Sequence, residues 1–500
     1  MRRSTETRST RRGPARLAAL GAGALAASML TIVAATAGGS VGAGAAVTLH
    51  PTGLVAYQLR TSPRFSSHHV AVPAAISARI TKEQLVSNCG GRNAEVEEAI
   101  QGNYVYVEWI GCYGIGLAVS GNGGKSYGPT LQLPGSAYSN CVPAGCYDYP
   151  WDPAVTIAPN GTVYAAFMYQ FGSTGAMPVV DASFNHGATF TQSVQMPVPA
   201  SSDPNGNWGD REFLAVAPNG EVFLTWDYGP STSQVTIVCS PIGSCSFTGG
   251  DLNAVLETSS DGGKTWTAPS PISPRFPYGG ADSAPIVITP KGSLDVLYQA
   301  FPTDPTTHKL SPGSEYFTRS ANAGATWTSP QRLGPSVGTV SLTEWWIDGD
   351  ISLDASGNLY ATWDTQGPKY DLAYLEYSKN GGATWSKPIA VTSPKGTVEE
   401  LVESAGDGKG IADVAWQTPT PKGYATFERP FSVSRGWLTA RATQVSTLYG
   451  KPTIWPGDTF GIAPLPNAKA GAHGMPLVLT WGAAVAPSAT SEIWSKVITP

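Results

Sequence analysis

Short runs of alternating apolar and polar residues recur along this chain. Each run is followed by an Asn-Gly-type turn and a second apolar run that closes on an aromatic residue. The clearest copies are Asp152-Pro-Ala-Val-Thr-Ile-Ala-Pro-Asn-Gly161, Asp210-Arg-Glu-Phe-Leu-Ala-Val-Ala-Pro-Asn-Gly220 running on to Trp226, and Asp348-Gly-Asp-Ile-Ser-Leu-Asp-Ala-Ser-Gly357 running on to Trp363. Asp282 with Gly292 makes a fourth. Asn93 with Gly102 and Trp109, and Glu399 with Gly408 and Trp416, are weaker copies, and a last one runs from Asp458 to Trp481. Period-two alternation on both sides of a glycine turn predicts a β-hairpin in each unit.

A second repeat interleaves with the first. Ser120–Tyr127, Ser183–Phe190, Ser259–Trp266, Ser320–Trp327 and Ser378–Trp385 share the pattern Ser-x-Asn/Asp-x-Gly-x-Thr-aromatic, with Ser126 in the Thr place of the first copy. Copies begin about 60 to 75 residues apart, the spacing of one supersecondary unit per repeat. The Asn or Asp side chain can accept backbone N–H groups further round the turn, and Gly supplies the positive φ. This motif resembles the Asp-box, or bacterial neuraminidase repeat, of sialidase-like β-propellers. The resemblance implies an all-β fold, a single β-propeller of four-stranded blades, with the hairpin units as inner strand pairs and each Asp-box joining a third strand to a fourth. Seven units predict seven blades. Six blades, as the sialidases themselves imply, is the alternative, with the units at 93 or 399 as accessory structure. The seventh unit has one further strand before the chain ends, near Glu492–Ile498. Its fourth strand is expected from the N-terminus, where Val72–Lys82 has strand character, so that no sheet edge is left open.

Composition fits this reading. Charged residues make up only 13%, while Gly 57 and Pro 41 supply turns. A net charge of -5 without a long basic run after the first 20 residues argues against a nucleic-acid partner. Residues 1–37 read as a signal peptide. Arg2, Arg3, Arg8, Arg11, Arg12 and Arg16 precede an uncharged stretch from Leu17 to Ala37, and Ala35-Thr-Ala37 fits small-x-small cleavage. Arg11-Arg12 leaves a twin-arginine route open beside general secretion, and an uncleaved membrane anchor is the alternative. Residues 38–69 read as a loose Gly/Ala/Ser-rich leader, and 70–500 as the propeller, a secreted monomer not inserted in the membrane once the signal is cleaved. Six cysteines support an oxidising compartment. Cys141 with Cys146 and Cys239 with Cys245 each close a short loop, which favours local pairing. Cys89 and Cys112 are left and could bridge the first blade. Without Cys-x-x-Cys, and with the six histidines scattered, no metal or cofactor motif emerges.

Candidate chemistry gathers where each inner strand starts. An aromatic repeatedly precedes an acid there: Trp151-Asp152, Trp208-Gly-Asp210, Tyr278 before Asp282, Trp345-Trp346-Ile-Asp348-Gly-Asp350, and Trp455-Pro-Gly-Asp458. Aromatic faces stack on sugar rings, and carboxylates act as acid and base. The structural alternative is that each repeated acid caps backbone groups at the channel. Departures from the repeat are therefore the more informative: Arg211 and Glu212, Glu344 with Asp348 and Asp350, and Glu399-Glu400 with Glu403. The candidate catalytic residues are Asp210, Glu344, Asp348 and Asp350. Candidate substrate-binding residues are Arg211, Trp208, Trp346, Trp151 and Asp152. The sialidase resemblance would add three arginines, a Tyr–Glu nucleophile pair and an Asp acid/base. No Arg-Ile-Pro motif occurs, and no arginine lies between Arg332 and Arg429. Other hydrolase signatures and phosphate loops are also missing. Two functions are expected to compete: a glycoside hydrolase acting on extracellular glycan, and a non-catalytic carbohydrate- or protein-binding propeller at the cell surface.

Overall fold

The structure is a computed structural model. It describes residues 83–89, 93–137, 150–170, 176–196, 207–230, 236–239, 245–248, 253–274, 281–300, 313–334, 349–365, 372–392, 400–408, 410–420, 423–446, 457, 459–470, 473–484 and 491–499. Within them, seven antiparallel sheets follow one another as blades. The first contains Ala94–Gln101, Tyr104–Gly111, Gly114–Ser120 and Leu131–Gln132, ordered from inside to outside. The next five repeat that order, starting from Pro150–Ile157, Asn207–Val216, Ala281–Asp282 with Ile286–Ile288, Asp350–Leu353 and Glu400–Asp407. The innermost strands touch in chain order, and Gly461–Pro464 of the seventh blade touches the first, so the ring closes. The described residues contain no helix long and apolar enough to cross a membrane.

The seventh blade holds Gly461–Pro464, Leu477–Ala484 and Ser491–Ile498, and its outer strand comes from the other end of the chain. That strand is Gln84–Leu85, pairing with Ser495 and Trp494. It lies just beyond the predicted Val72–Lys82, which falls outside the described residues together with the proposed signal peptide and leader. Side chains reinforce the closure. Asn93 accepts the Trp109 indole N–H at 2.9 Å and donates to Glu492 at 2.9 Å, and Ser87 also bonds Glu492. Cys89 and Cys112 form a disulfide beside this junction, with Cα atoms 5.3 Å apart. Cys239 and Cys245 stand directly opposite each other in a small hairpin between the second and third strands of the third blade. Cys141 and Cys146 lie outside the described residues.

The five repeated turns share one hydrogen-bond pattern. The Ser hydroxyl accepts the N–H of the motif's glycine four residues on, as in Gly124 to Ser120 at 3.0 Å and Gly382 to Ser378 at 2.8 Å. The Asn or Asp carboxyl or amide oxygen accepts the N–H of the Thr or Ser that follows, at 2.9–3.0 Å. These turns also grip the neighbouring blade. A Cβ on Gly124 would meet Val497, on Gly187 Val119, on Gly263 Tyr164, on Gly324 Leu256 and on Gly382 Phe317, in every case a side chain of the preceding blade. Trp385 packs edge-on against the same Phe317, with centroids 5.1 Å apart. The sixth blade carries a shortened copy that its sequence hides: Ser434 N–H donates to Ser432, and Trp437 packs edge-on against Phe431.

Gly382 sits at φ +78 with the Phe317 ring 2.0 Å from where a Cβ would stand. Gly382→Ala should therefore cost about 2 kcal/mol or more through backbone strain and overpacking together, measured as a lower urea midpoint. An unchanged midpoint would mean that the turn does not clamp its neighbour. Opening the Cys89–Cys112 bridge by Cys89→Ser should cost about 3 kcal/mol, from the freedom regained by a loop of this length, and the same denaturation measurement reads it.

Candidate acidic site at the innermost strands

The starts of the innermost strands share an irregularity with a clear physical form. In the first blade Ala94 pairs with Ile110, but Val96 already pairs with Trp109, which leaves Glu95 as an extra residue. The same one-residue bulge sets apart Asp152 in the second blade, and it falls between Asp210 and Phe213 in the third and between Glu400 and Glu403 in the sixth. Glu95, Asp152, Arg211, Ser283 and Leu401 occupy the left-handed region there, with φ between 47 and 55. Side chains other than glycine pay for that conformation in steric strain. The strain persists because neighbouring blades hold each bulge. In the seventh blade the place goes to Gly457, at φ +111, where a Cβ would stand 2.1 Å from the Glu95 nitrogen. Only glycine allows the last blade to approach the first so closely.

Acids link these bulges from blade to blade. Asp152 N–H donates to Glu95 Oε2 at 3.4 Å, and Arg211 N–H donates to Asp152 Oδ2 at 3.1 Å. Asp350 Oδ2 accepts both Ser404 N–H at 2.8 Å and its hydroxyl at 3.0 Å, and Glu403 Oε1 accepts Phe460 N–H at 3.2 Å. Asp152 and Asp350 thus hold the ring together, whatever else they do. The Trp151 indole N–H donates to Asp210.

Two groups of carboxylates result. On the first three blades, Glu212 is buried with its charge close to Asp152, Asp210 and Glu108, and burial, then Asp152, pushes its carboxyl well above the usual range. Burial, then Asp181 and Glu97, does the same to Glu108. No hydrogen bond from another residue reaches either carboxyl oxygen of Glu108 or of Glu212. Toward the fifth and sixth blades, Glu403 is raised by burial, then by Glu97 and Asp350. Asp350 is pushed up to about 6 by burial, against the opposing bonds from Ser404.

The structure brings Trp151, Asp152, Asp210 and Arg211 together and places Asp350 in the second group. Glu344, Trp346 and Asp348 lie outside the described residues, as does the side chain of Trp208. Two expectations change. Trp151 was expected to offer a stacking face, but it is fully buried and belongs to the core. Arg211 was expected to contact substrate directly, but it is only 2% exposed. Sequence reasoning overlooked Glu95, Glu97 and Glu108. A signal for Glu108 existed: it occupies the place before the second-strand Trp that holds Thr225, Thr362 and Thr480 in other blades. Thr225 and Thr362 reach backbone carbonyls of the next blade from there. Among the described residues no group of His, Cys, Asp and Glu is arranged to hold a metal ion.

No protein-family model matches this chain, and no curated protein does. Solved structures do. An ulvan lyase of a polysaccharide lyase family is 12% identical over 84% of this chain and 94% of its own, with a TM-score of 0.49. The intramolecular trans-sialidase of Ruminococcus gnavus is 14% identical over 71% of this chain and 95% of its own, with a TM-score of 0.43. An α-L-arabinanase of Penicillium chrysogenum is 13% identical over 72% of this chain and 94% of its own, with a TM-score of 0.41. Such identities leave the chemistry to be read from this chain's own residues.

Buried acids make the fold sensitive to pH in a defined direction. Burial raises Asp181 to about 6, Glu428 and Glu492 to about 7, and Glu257 to about 8. In the unfolded chain such groups titrate near 4. Between those limits the native state binds more protons than the unfolded one, so stability is present at low pH and lost as pH rises. The melting temperature should fall steadily from about pH 5 to about pH 8. A flat or rising thermal profile would contradict the burial of these acids.

Proposed function

We propose that this chain is an exported, glycan-active propeller that hydrolyses glycosidic bonds with carboxylates at the innermost strands of its first three blades. The observation carrying this reading is the grouping of Glu212 with Asp210 and Asp152 in unlike surroundings. Glycosidases need one carboxyl group kept protonated and a second kept ionised. Glu212, raised by burial and by neighbouring acids, suits the general acid. Asp210, bonded by the Trp151 indole, suits the base or nucleophile, because a donated N–H favours its charged form. Arg211 orients the pair through its backbone bond to Asp152. Asp350 then serves as a substrate contact across the ring. Export is supported by the Arg-rich, apolar N-terminal segment and by the Cys89–Cys112 bridge.

One observation favours the second reading, a non-catalytic binding propeller. Asp210, Arg211 and Glu212 are each no more than 3% exposed. Reducing-end release from a panel of polysaccharides separates the two. The hydrolase reading expects turnover by the wild type and a loss of about a hundredfold or more in Glu212→Gln, with binding retained. Binding without any release of reducing ends would establish the second reading.

A further inference from the structure

A groove between the third and fourth blades is open where its counterpart between the first and second is filled. One wall is the hairpin turn of the third blade, with Pro218, Asn219 and Glu221. The other is the hairpin turn of the fourth blade, with Lys291, and that blade's repeated turn, with Ala323. Together with the almost fully buried Phe223 they line a cavity of about 400 Å³. Small-ligand pockets span roughly 300–1,000 Å³.

In the groove between the first and second blades the same positions carry two rings. Val105 and Val222 each pair with the Ser that opens the repeated turn of their own blade, so Tyr104 stands where the third blade has Glu221. His186 stands where the fourth blade has Ala323. The Tyr104 and His186 rings stack, with centroids 4.7 Å apart and planes 8° from parallel. A Cβ on Gly161 would meet the His186 ring at 2.8 Å, whereas one on Gly292, the equivalent glycine of the fourth blade, would have nothing within 4 Å. Between the fourth and fifth blades, Arg319, held by Asp295, lies against Gly381 at the Ala323 place. The cavity thus arises from a glutamate and an alanine at places that elsewhere hold or receive a large side chain, on an unchanged blade frame.

The lining has a mixed polarity. Glu221 is half-buried and Lys291 is exposed. Among the described residues neither is paired with an opposite charge. Asn219 Oδ1 accepts the Glu221 N–H at 3.1 Å, which leaves the amide N–H groups of Asn219 as donors. A carboxylate acceptor and ammonium and amide donors therefore surround the apolar surface of Pro218, Phe223 and Ala323. A sugar ring matches this set, because its hydroxyls both donate and accept while its C–H face is apolar. A ligand of a single charge would leave either Glu221 or Lys291 facing its own sign.

We infer that this pocket is a second glycan-binding site, holding a neutral sugar unit apart from the carboxylates of the innermost strands. The inference rests on the glycan-active reading for its class of ligand, while its position rests on the groove alone. Asp210 stands at the start of the third blade's innermost strand and Ala217 follows its end, so the two sites lie roughly 20 Å apart along the strand. A chain bound there is tethered to the protein without occupying the carboxylates.

Calorimetric titration of the full exported chain with cellobiose, lactose, xylobiose and diacetylchitobiose, and with n-butylamine and acetate as single-charge controls, tests this. At least one disaccharide should bind the wild type. Glu221→Ala should weaken it about tenfold, since a charge-assisted acceptor is lost. Glu221→Tyr combined with Ala323→His rebuilds the filled groove and should abolish this binding. His186 already occupies the equivalent backbone at φ 56, close to the 54 of Ala323. Because Glu221 is partly exposed, Glu221→Ala keeps the test valid even where the double variant does not fold. Disaccharide binding equal in the wild type and both variants overturns the inference and leaves the glycan-active reading standing. Binding of n-butylamine or acetate alone, lost in Glu221→Ala, also overturns it by assigning the pocket to charged ligands. A wild type that binds none of the four disaccharides overturns it too, and the glycan-active reading falls with it only where no polysaccharide is bound or cleaved.

Discussion

Closure of the ring is the constraint on which the rest of this structure depends. An open row of four-stranded sheets would leave two exposed faces and an unpaired strand edge. Here Gln84–Leu85 completes the sheet begun by Gly461–Pro464, and the two ends of the chain become one blade. Asn93 makes the junction specific, since its amide joins the Trp109 indole of the first blade to Glu492 of the last. Every innermost strand is placed relative to the axis only because this seam holds.

Blades adhere to one another at two radii. Far from the axis, the glycine of each repeated turn lies against a side chain of the preceding blade, so the same residue satisfies a positive φ and a close contact. Near the axis, a bulge is held by an acid of the blade before it, as Asp152 is by Glu95 and Arg211 by Asp152. Backbone strain at these bulges persists because both neighbours determine it, a condition under which functional sites commonly store strain. The same carboxylates then serve the ring and the candidate chemistry. That overlap explains why acids recur at inner-strand starts, and why the informative ones are those without a structural partner, Glu212 and Glu108.

Much of the fold was legible in the chain itself. Period-two alternation around a glycine turn, and the Ser-x-Asn-x-Gly motif, are local features whose physics needs no distant residue. They yielded seven hairpin units, the four-strand blade and a closing strand from the N-terminus. The position of that strand was misplaced by a few residues, because an isolated apolar run does not record which of its residues will meet Ser495 and Trp494. The shortened turn at Ser432–Trp437 escaped notice because it lacks the Asn and two residues of spacing.

The site was legible only in part. Strand-start acids could be named from their place in the repeat, and Asp152, Asp210 and Arg211 do come together. Burial could not be read in this way. Trp151 and Arg211 belong to a strand start by sequence, but packing between blades decides that neither faces solvent. The grouping of Glu108 with Glu212, and of Glu97 with Asp350 and Glu403, joins residues of different blades. Such groupings arise when the ring closes and brings distant strands to one axis. Repeat chemistry, being local, was determined by the sequence alone; which carboxylates share a field and which lose their water was decided by the tertiary structure.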